Sequence, residues 1–105
     1  MEKDASPELH LQTELSIPYA EKINKVIVTS RKQTTFELAL GTSNGLFFGE
    51  VVKHKFTSIA EMFLMHMNVC QVVRLTKNRF LAGTPGTAIL GAESGGVYII
   101  DRKKP

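Results

Sequence analysis

Apolar and polar positions alternate along several stretches of this chain with the two-residue period of β-strands. Ile23 and the run Val26-Ile27-Val28-Thr29 open the pattern, which breaks at Ser30-Arg31-Lys32-Gln33. It resumes at Phe36-Glu37-Leu38-Ala39-Leu40, where positions 36, 38 and 40 form one apolar face. The return run is Leu46-Phe47-Phe48-Gly49-Glu50-Val51-Val52, and Gly41-Thr42-Ser43-Asn44-Gly45 between the two reads as a turn. This predicts a hairpin in which Asn44-Gly45 supplies the positive φ angles of a tight reversal. Further strands are expected at 69–75, 79–82, 87–90 and 97–101, separated by turns at 76–78, 83–86 and 91–96. The last two of these strands are expected to pair as a second hairpin.

The segment Thr57-Ser-Ile-Ala-Glu-Met-Phe-Leu-Met-His-Met-Asn-Val69 carries mixed signals. Thr57 or Ser58 suits a helix cap, and Ala, Glu, Met and Leu are good helix formers, while Met65, Met67 and Val69 alternate with His66 and Asn68. The reading is a short helical turn near 57–65 followed by a strand. Residues 1–16 hold Pro7, several acids and few β-branched residues, which predicts a flexible polar arm. The rest, 17–105, is expected to be one all-β domain made of two units, at about 23–53 and 69–101.

The two units share a pattern. With Gly41 set on Gly91, the segment from Leu38 through the turn to Phe48 matches Ala88 through Gly95 to Ile99, with Gly96 inserted. Repeats of roughly 40 to 50 residues built from short strands mark propeller blades. An apolar strand closed by Gly-Thr, two polar residues, a Gly and a second apolar strand resembles the hairpins of WD-type and citron homology propellers. The succession of Leu38 to Phe48, then 69–75, then Asn78-Arg79-Phe80-Leu81-Ala82-Gly83 is most similar to the citron homology family. No Trp-Asp or Gly-His pair of a strict WD repeat occurs. The resemblance implies a β-propeller that binds proteins without catalysis, small GTPases or membrane-trafficking partners among them. At 105 residues the chain supplies about two blades, where a closed propeller has four to eight. The expectation is therefore a fragment, or a homo-oligomer or larger assembly whose copies complete a ring.

Composition narrows the chemistry. The formal net charge is +3, acids gather in the first 21 residues, and the basic run Arg102-Lys103-Lys104 reads as a solubilising tail. Aromatic residues interleaved with basic ones, as on an RNA-binding sheet, are missing, so no nucleic acid is expected. Cys70 is the single cysteine, which excludes an intrachain disulfide and a CxxC zinc site and fits a reducing, cytoplasmic setting. His10, His54 and His66 lack metal-ligand spacing, and no metal or cofactor is expected. Acids stand where a signal peptide has its basic region, and no apolar run has the length of a membrane span.

Gly41-Thr42-Ser43-Asn44-Gly45 matches G-x-S-x-G, but a nucleophile elbow needs a helix after the turn and a strand pattern follows here. Gly83-Thr84-Pro85-Gly86-Thr87 lacks the G-K-[ST] of a phosphate loop, and Pro85 removes a donor. The reading is a non-catalytic protein-interaction module. Its candidate partner-binding residues are the turn residues Thr42, Ser43, Asn44, Ala92, Glu93 and Ser94, with Gly41, Gly45, Gly91, Gly95 and Gly96 shaping the turns. The alternative is a small self-contained domain that binds a ligand, or acts as an enzyme, through its Gly-rich turns.

Overall fold

Residues 13–85 and 95–102 are described by the computed structural model, and their alternating patterns form seven strands with no helix among them. Strands β1 (Ile23–Arg31), β2 (Thr35–Thr42), β3 (Gly45–Val52) and β4 (Lys55–Phe63) make a four-stranded sheet in chain order. Strands β5 (Gln71–Thr76), β6 (Arg79–Thr84) and β7 (Gly96–Asp101) make a three-stranded sheet, again in chain order. Every pairing is antiparallel. The all-β expectation holds, as two open meanders.

Side-chain alternation gives each sheet two faces. In β2 and β3 both faces are buried, which is why Leu38-Ala39-Leu40 and Leu46-Phe47-Phe48 are almost continuously apolar. Ala39, Leu46 and Phe48 face the second sheet and form one core with Val69, Val72, Phe80, Ala82 and Ile100. Phe48 meets Phe80 edge to face, ring centroids 4.9 Å apart. Leu38, Leu40, Phe47 and Val51 face the other way, covered by Leu15, Ile17 and Ala20 from the segment preceding β1. Leu15 thus packs on the fold although it falls inside the expected polar arm.

The expected helical turn near 57–65 is instead β4. Pairing from Val52↔Lys55 to Leu46↔Phe63 overrides the helix propensity of Ala60, Glu61 and Met62, because β3 would otherwise present an open edge. The strand expected after it is a loop through 64–70, with Leu64 and His66 at φ 54° and 70°.

β7 also has a partner that the sequence did not announce. β7 pairs with β6, Gly83 opposite Val97 and Leu81 opposite Ile99, and β6 runs on through the expected turn to Thr84. The strand expected at 87–90 lies outside the described residues. In register, Gly83-Thr84 stand to Gly96-Val97 as Gly41-Thr42 stand to Gly45-Leu46. Gly41, Gly45 and Gly96 all lie within strands, Gly45 and Gly96 as the first residues of β3 and β7. Gly41 lies where the 69–72 segment crosses the first sheet, and a Cβ there would stand 3.0 Å from the Val69 carbonyl oxygen and 3.0 Å from a Val72 methyl.

Candidate functional site

The turn between β2 and β3 holds three of the sequence-derived candidates. Positive φ falls on Gly45, at 128°, and not on Asn44. Thr42 is fully buried; its hydroxyl donates to the Gly45 carbonyl at 2.8 Å and accepts from the Asn44 amide at 2.9 Å. Lys22 and Ser43 are tied twice, by the Ser43 amide to the Lys22 carbonyl and the Lys22 amide to the Ser43 hydroxyl. The Asn44 side-chain amide donates to the Tyr19 carbonyl, and the Asn44 backbone carbonyl accepts from the His66 amide. Val69 donates its amide to the Thr42 carbonyl. This turn is the knot that holds the leading segment and the β4–β5 loop onto the first sheet. Ala92, Glu93, Ser94 and Gly91 lie outside the described residues; Gly95 is exposed just before β7.

A second constellation escapes sequence reasoning. Arg102, expected in a solvated basic tail, is buried at 5% exposure. The residue after β7 turns inward because its amide donates to the Asn78 carbonyl at 2.7 Å. Its terminal nitrogens donate to the two Glu37 carboxylate oxygens at 2.7 and 2.9 Å, and Nε donates to Glu61 at 2.5 Å. The guanidinium lies over the Phe48 ring, 4.0 Å from its centroid. Thr29 adds a hydroxyl bond to Glu37 at 2.5 Å. Burial disfavours the charged guanidinium, but the bonds and charges of Glu37 and Glu61 outweigh it and hold the Arg102 pKa above the ordinary arginine value. The carboxylates come from β2 and β4 of the first sheet and the arginine from the second, so the cluster fastens one sheet to the other.

Arg102 and Glu37 also floor a cleft of about 360 Å³ at that end of the two sheets, with Lys32, Glu50, Arg74 and Lys77 among its lining. Arg74 is folded onto its own turn, donating to the Thr76 and Lys77 carbonyls. Among the described residues no three His, Cys, Asp or Glu side chains gather where they could hold a metal ion. Cys70 is partly buried and free, with its amide on the Gly83 carbonyl. No helix of the described residues is long and apolar enough to cross a membrane.

The third feature is the outer face of the second sheet. Val72, Phe80, Ala82 and Ile100 point to the first sheet, so their neighbours point away. Val73, Leu81 and Ile99 line up across all three strands in register. Val97 is 72% exposed, Ile99 65%, Val73 50% and Leu75 49%. The equivalent face of the first sheet, with Ala39, Leu46 and Phe48, is the one the second sheet covers. The alternation in 69–75 and 97–101 carried the strands but not this outcome: a run apolar at successive positions marks a strand meant for burial on both sides.

No protein-family model matches this chain, and neither a curated protein nor a solved structure matches it.

Proposed function

We propose that the chain is a non-catalytic protein-interaction module, built as two consecutive propeller-type sheets, that docks a partner on the outer face of β5–β6–β7. The carrying observation is the contiguous apolar row Val73, Leu81 and Ile99, extended by Val97 and Leu75. An apolar row continuous across three strands supports a docking face, as scattered apolar residues would not. Stacking of one meander on the next supports the likeness to citron homology and WD-type propellers, whose blades pack face to face. Under that likeness small GTPases and trafficking proteins are the partner classes to try first. The alternative of a ligand-binding or enzymatic site at the Gly-rich turns is disfavoured by the Thr42–Asn44 turn, whose polar groups are engaged with the chain itself.

The test compares wild type with Ile99→Lys as tagged baits, quantifying co-purified proteins, alongside thermal shifts against nucleotides and common metabolites. The expected result is a set of proteins lost from the variant and no small-molecule shift. Identical protein sets on both baits, or a metabolite that raises the melting temperature in proportion to its concentration, would overturn the reading.

A further inference from the structure

We infer that the open edge of β7 takes up an extended segment of another protein, which joins the second sheet as an antiparallel fourth strand. This rests on the docking reading above and names the kind of partner. In register β6 and β7 stand to each other as β2 and β3 do, and the far edge of β3 is filled by the antiparallel strand β4. Among the described residues no strand lies beyond β7. β3 is completed by its own hairpin, Val52 running through Lys53-His54 into β4. β7 instead runs into Arg102, held by its amide on Asn78 and by its guanidinium on Glu37 and Glu61, so the chain leaves toward the first sheet and not back along β7.

The backbone dictates what the edge accepts. Bonded and non-bonded pairs alternate along an antiparallel ladder. The Arg102 amide lies on the Asn78 carbonyl, and the Gly83 carbonyl faces β5, accepting from Cys70, so Phe80↔Ile100 and Ala82↔Tyr98 are the bonded pairs. Val97 and Ile99 therefore turn their N–H and C=O groups to the open edge, the template on which an added strand pairs.

Proteins blunt edges that stay free with bulges, charges or proline. The other edge strands carry such devices: register shifts interrupt the β1–β2, β3–β4 and β5–β6 ladders, and Lys25 and Arg31 stand on β1, Lys55 and Glu61 on β4 and Arg74 on β5. β7 pairs in unbroken register, and its single charge, Asp101, sits at its end in an ion pair with Arg79. Its run Val97-Tyr98-Ile99-Ile100 is apolar on both faces, the composition of an inner strand such as β3. An added strand sets alternate side chains beside Val97 and Ile99, continuing the row from Val73 and Leu81, and the others beside Tyr98 and Ile100. β-Branched and aromatic residues suit both sets. Gln71, exposed and polar on the same outer face, stands on β5, two strands away, and leaves this edge apolar.

A phage-displayed library of random peptides of about nine residues, selected on the immobilised full chain, supplies the probe, which is then used as a labelled synthetic peptide. The selected sequences are expected to alternate β-branched or aromatic residues and to lack proline. Bound peptide is expected to slow amide exchange at Val97 and Ile99 more than at Tyr98 and Ile100, which are already bonded to β6. Ile99→Pro removes the outward N–H and no bond to β6, and is expected to weaken peptide binding about tenfold, whereas Ile99→Thr keeps that N–H and is expected to stay within about threefold. Should Ile99→Pro unfold the sheet, the exchange pattern of the wild type decides. No enriched peptide, no added protection at Val97 and Ile99, or binding indifferent to a folded Ile99→Pro would overturn the proposal. So would slow exchange of these two amides in the free chain, which at every concentration would mean an edge filled from within, and only at rising concentration an edge filled by a second copy. If Ile99→Lys loses co-purified proteins while no peptide protects these amides, strand addition fails and the docking reading stands.

Discussion

Arg102 and Glu37 stand 65 positions apart in the chain and meet as a two-pronged ion pair, both terminal guanidinium nitrogens on the two carboxylate oxygens. With Nε on Glu61 and the guanidinium plane over Phe48, one residue beyond the last strand ties the second sheet to two strands of the first. A planar fork suits this work, because a lysine ammonium offers neither paired donors nor a stacking plane.

Removing that fork takes from Glu37 and Glu61 the guanidinium they share. Arg102→Ala is expected to destabilise the fold by about 2–3 kcal/mol, below the range for a fully buried ion pair because the Glu37 and Glu61 side chains are 21% and 29% exposed. Urea denaturation of wild type and variant checks this through the midpoint at constant slope.

Alkaline pH separates Arg102 from a lysine in its place. A cation whose folded pKa is raised contributes stability that is complete below its unfolded pKa and lost as pH rises through the folded one. For Arg102 that window lies above the ordinary arginine value, so its contribution stays constant between pH 7 and about 10. Arg102→Lys moves the window down toward the lysine pKa of about 10.4, and its stability deficit is expected to widen as pH rises past it. Melting temperatures of the two proteins across pH 7–11 give the comparison.

The β3–β4 hairpin turns on Lys53 and His54, both with positive φ, at 51° and 68°. Two positive φ angles between Val52 and Lys55 define the turn that Asn-Gly fills best, and the native pair bears a steric cost of about 1 kcal/mol per residue. The double substitution Lys53→Asn, His54→Gly is expected to raise stability by about 1 kcal/mol, read as a higher thermal midpoint. No strand pairing is expected to change.

Phe80 is fully buried between the sheets against Phe48. Phe80→Ala is expected to cost about 3–5 kcal/mol and to lower the stability of both sheets together, since Phe48 loses its partner across the junction. Thermal unfolding followed by far-UV and near-UV circular dichroism checks that the transition stays single.

At the β2–β3 turn, Thr42→Val is expected to cost about 1–2 kcal/mol, because the Asn44 amide loses its hydroxyl acceptor. Ser43→Ala, at the more exposed bond to the Lys22 amide, is expected to cost less than 1 kcal/mol. Denaturant midpoints of the two single variants rank them.

Local patterns were readable where local rules decide the outcome. The hairpin of β2 and β3 follows from Leu38-Ala39-Leu40, the Gly45 reversal and Leu46-Phe47-Phe48, and the strands at β1, β5, β6 and β7 follow from their own alternation. What the residues do not announce is who pairs with whom. β7 takes β6 as its neighbour, a pairing that the likeness of Gly83-Thr84 to Gly41-Thr42 carries. In 57–63 the residues favour a helix, and the open edge of β3 draws them into β4 instead. The candidate site was the least legible part. Arg102 sits in a basic run, and nothing in its neighbours separates it from a solvated tail; its partners Glu37 and Glu61 lie 65 and 41 positions away.

Amide hydrogen exchange, resolved by strand on the wild-type chain, tests most directly the claim that the two sheets form one platform whose outer face is left for docking. The account predicts that β2, β3 and β6 share one slow exchange rate set by global unfolding, and that Arg102→Ala speeds all three together. Fast, independent exchange of β5–β7 while β2 and β3 stay protected would contradict it.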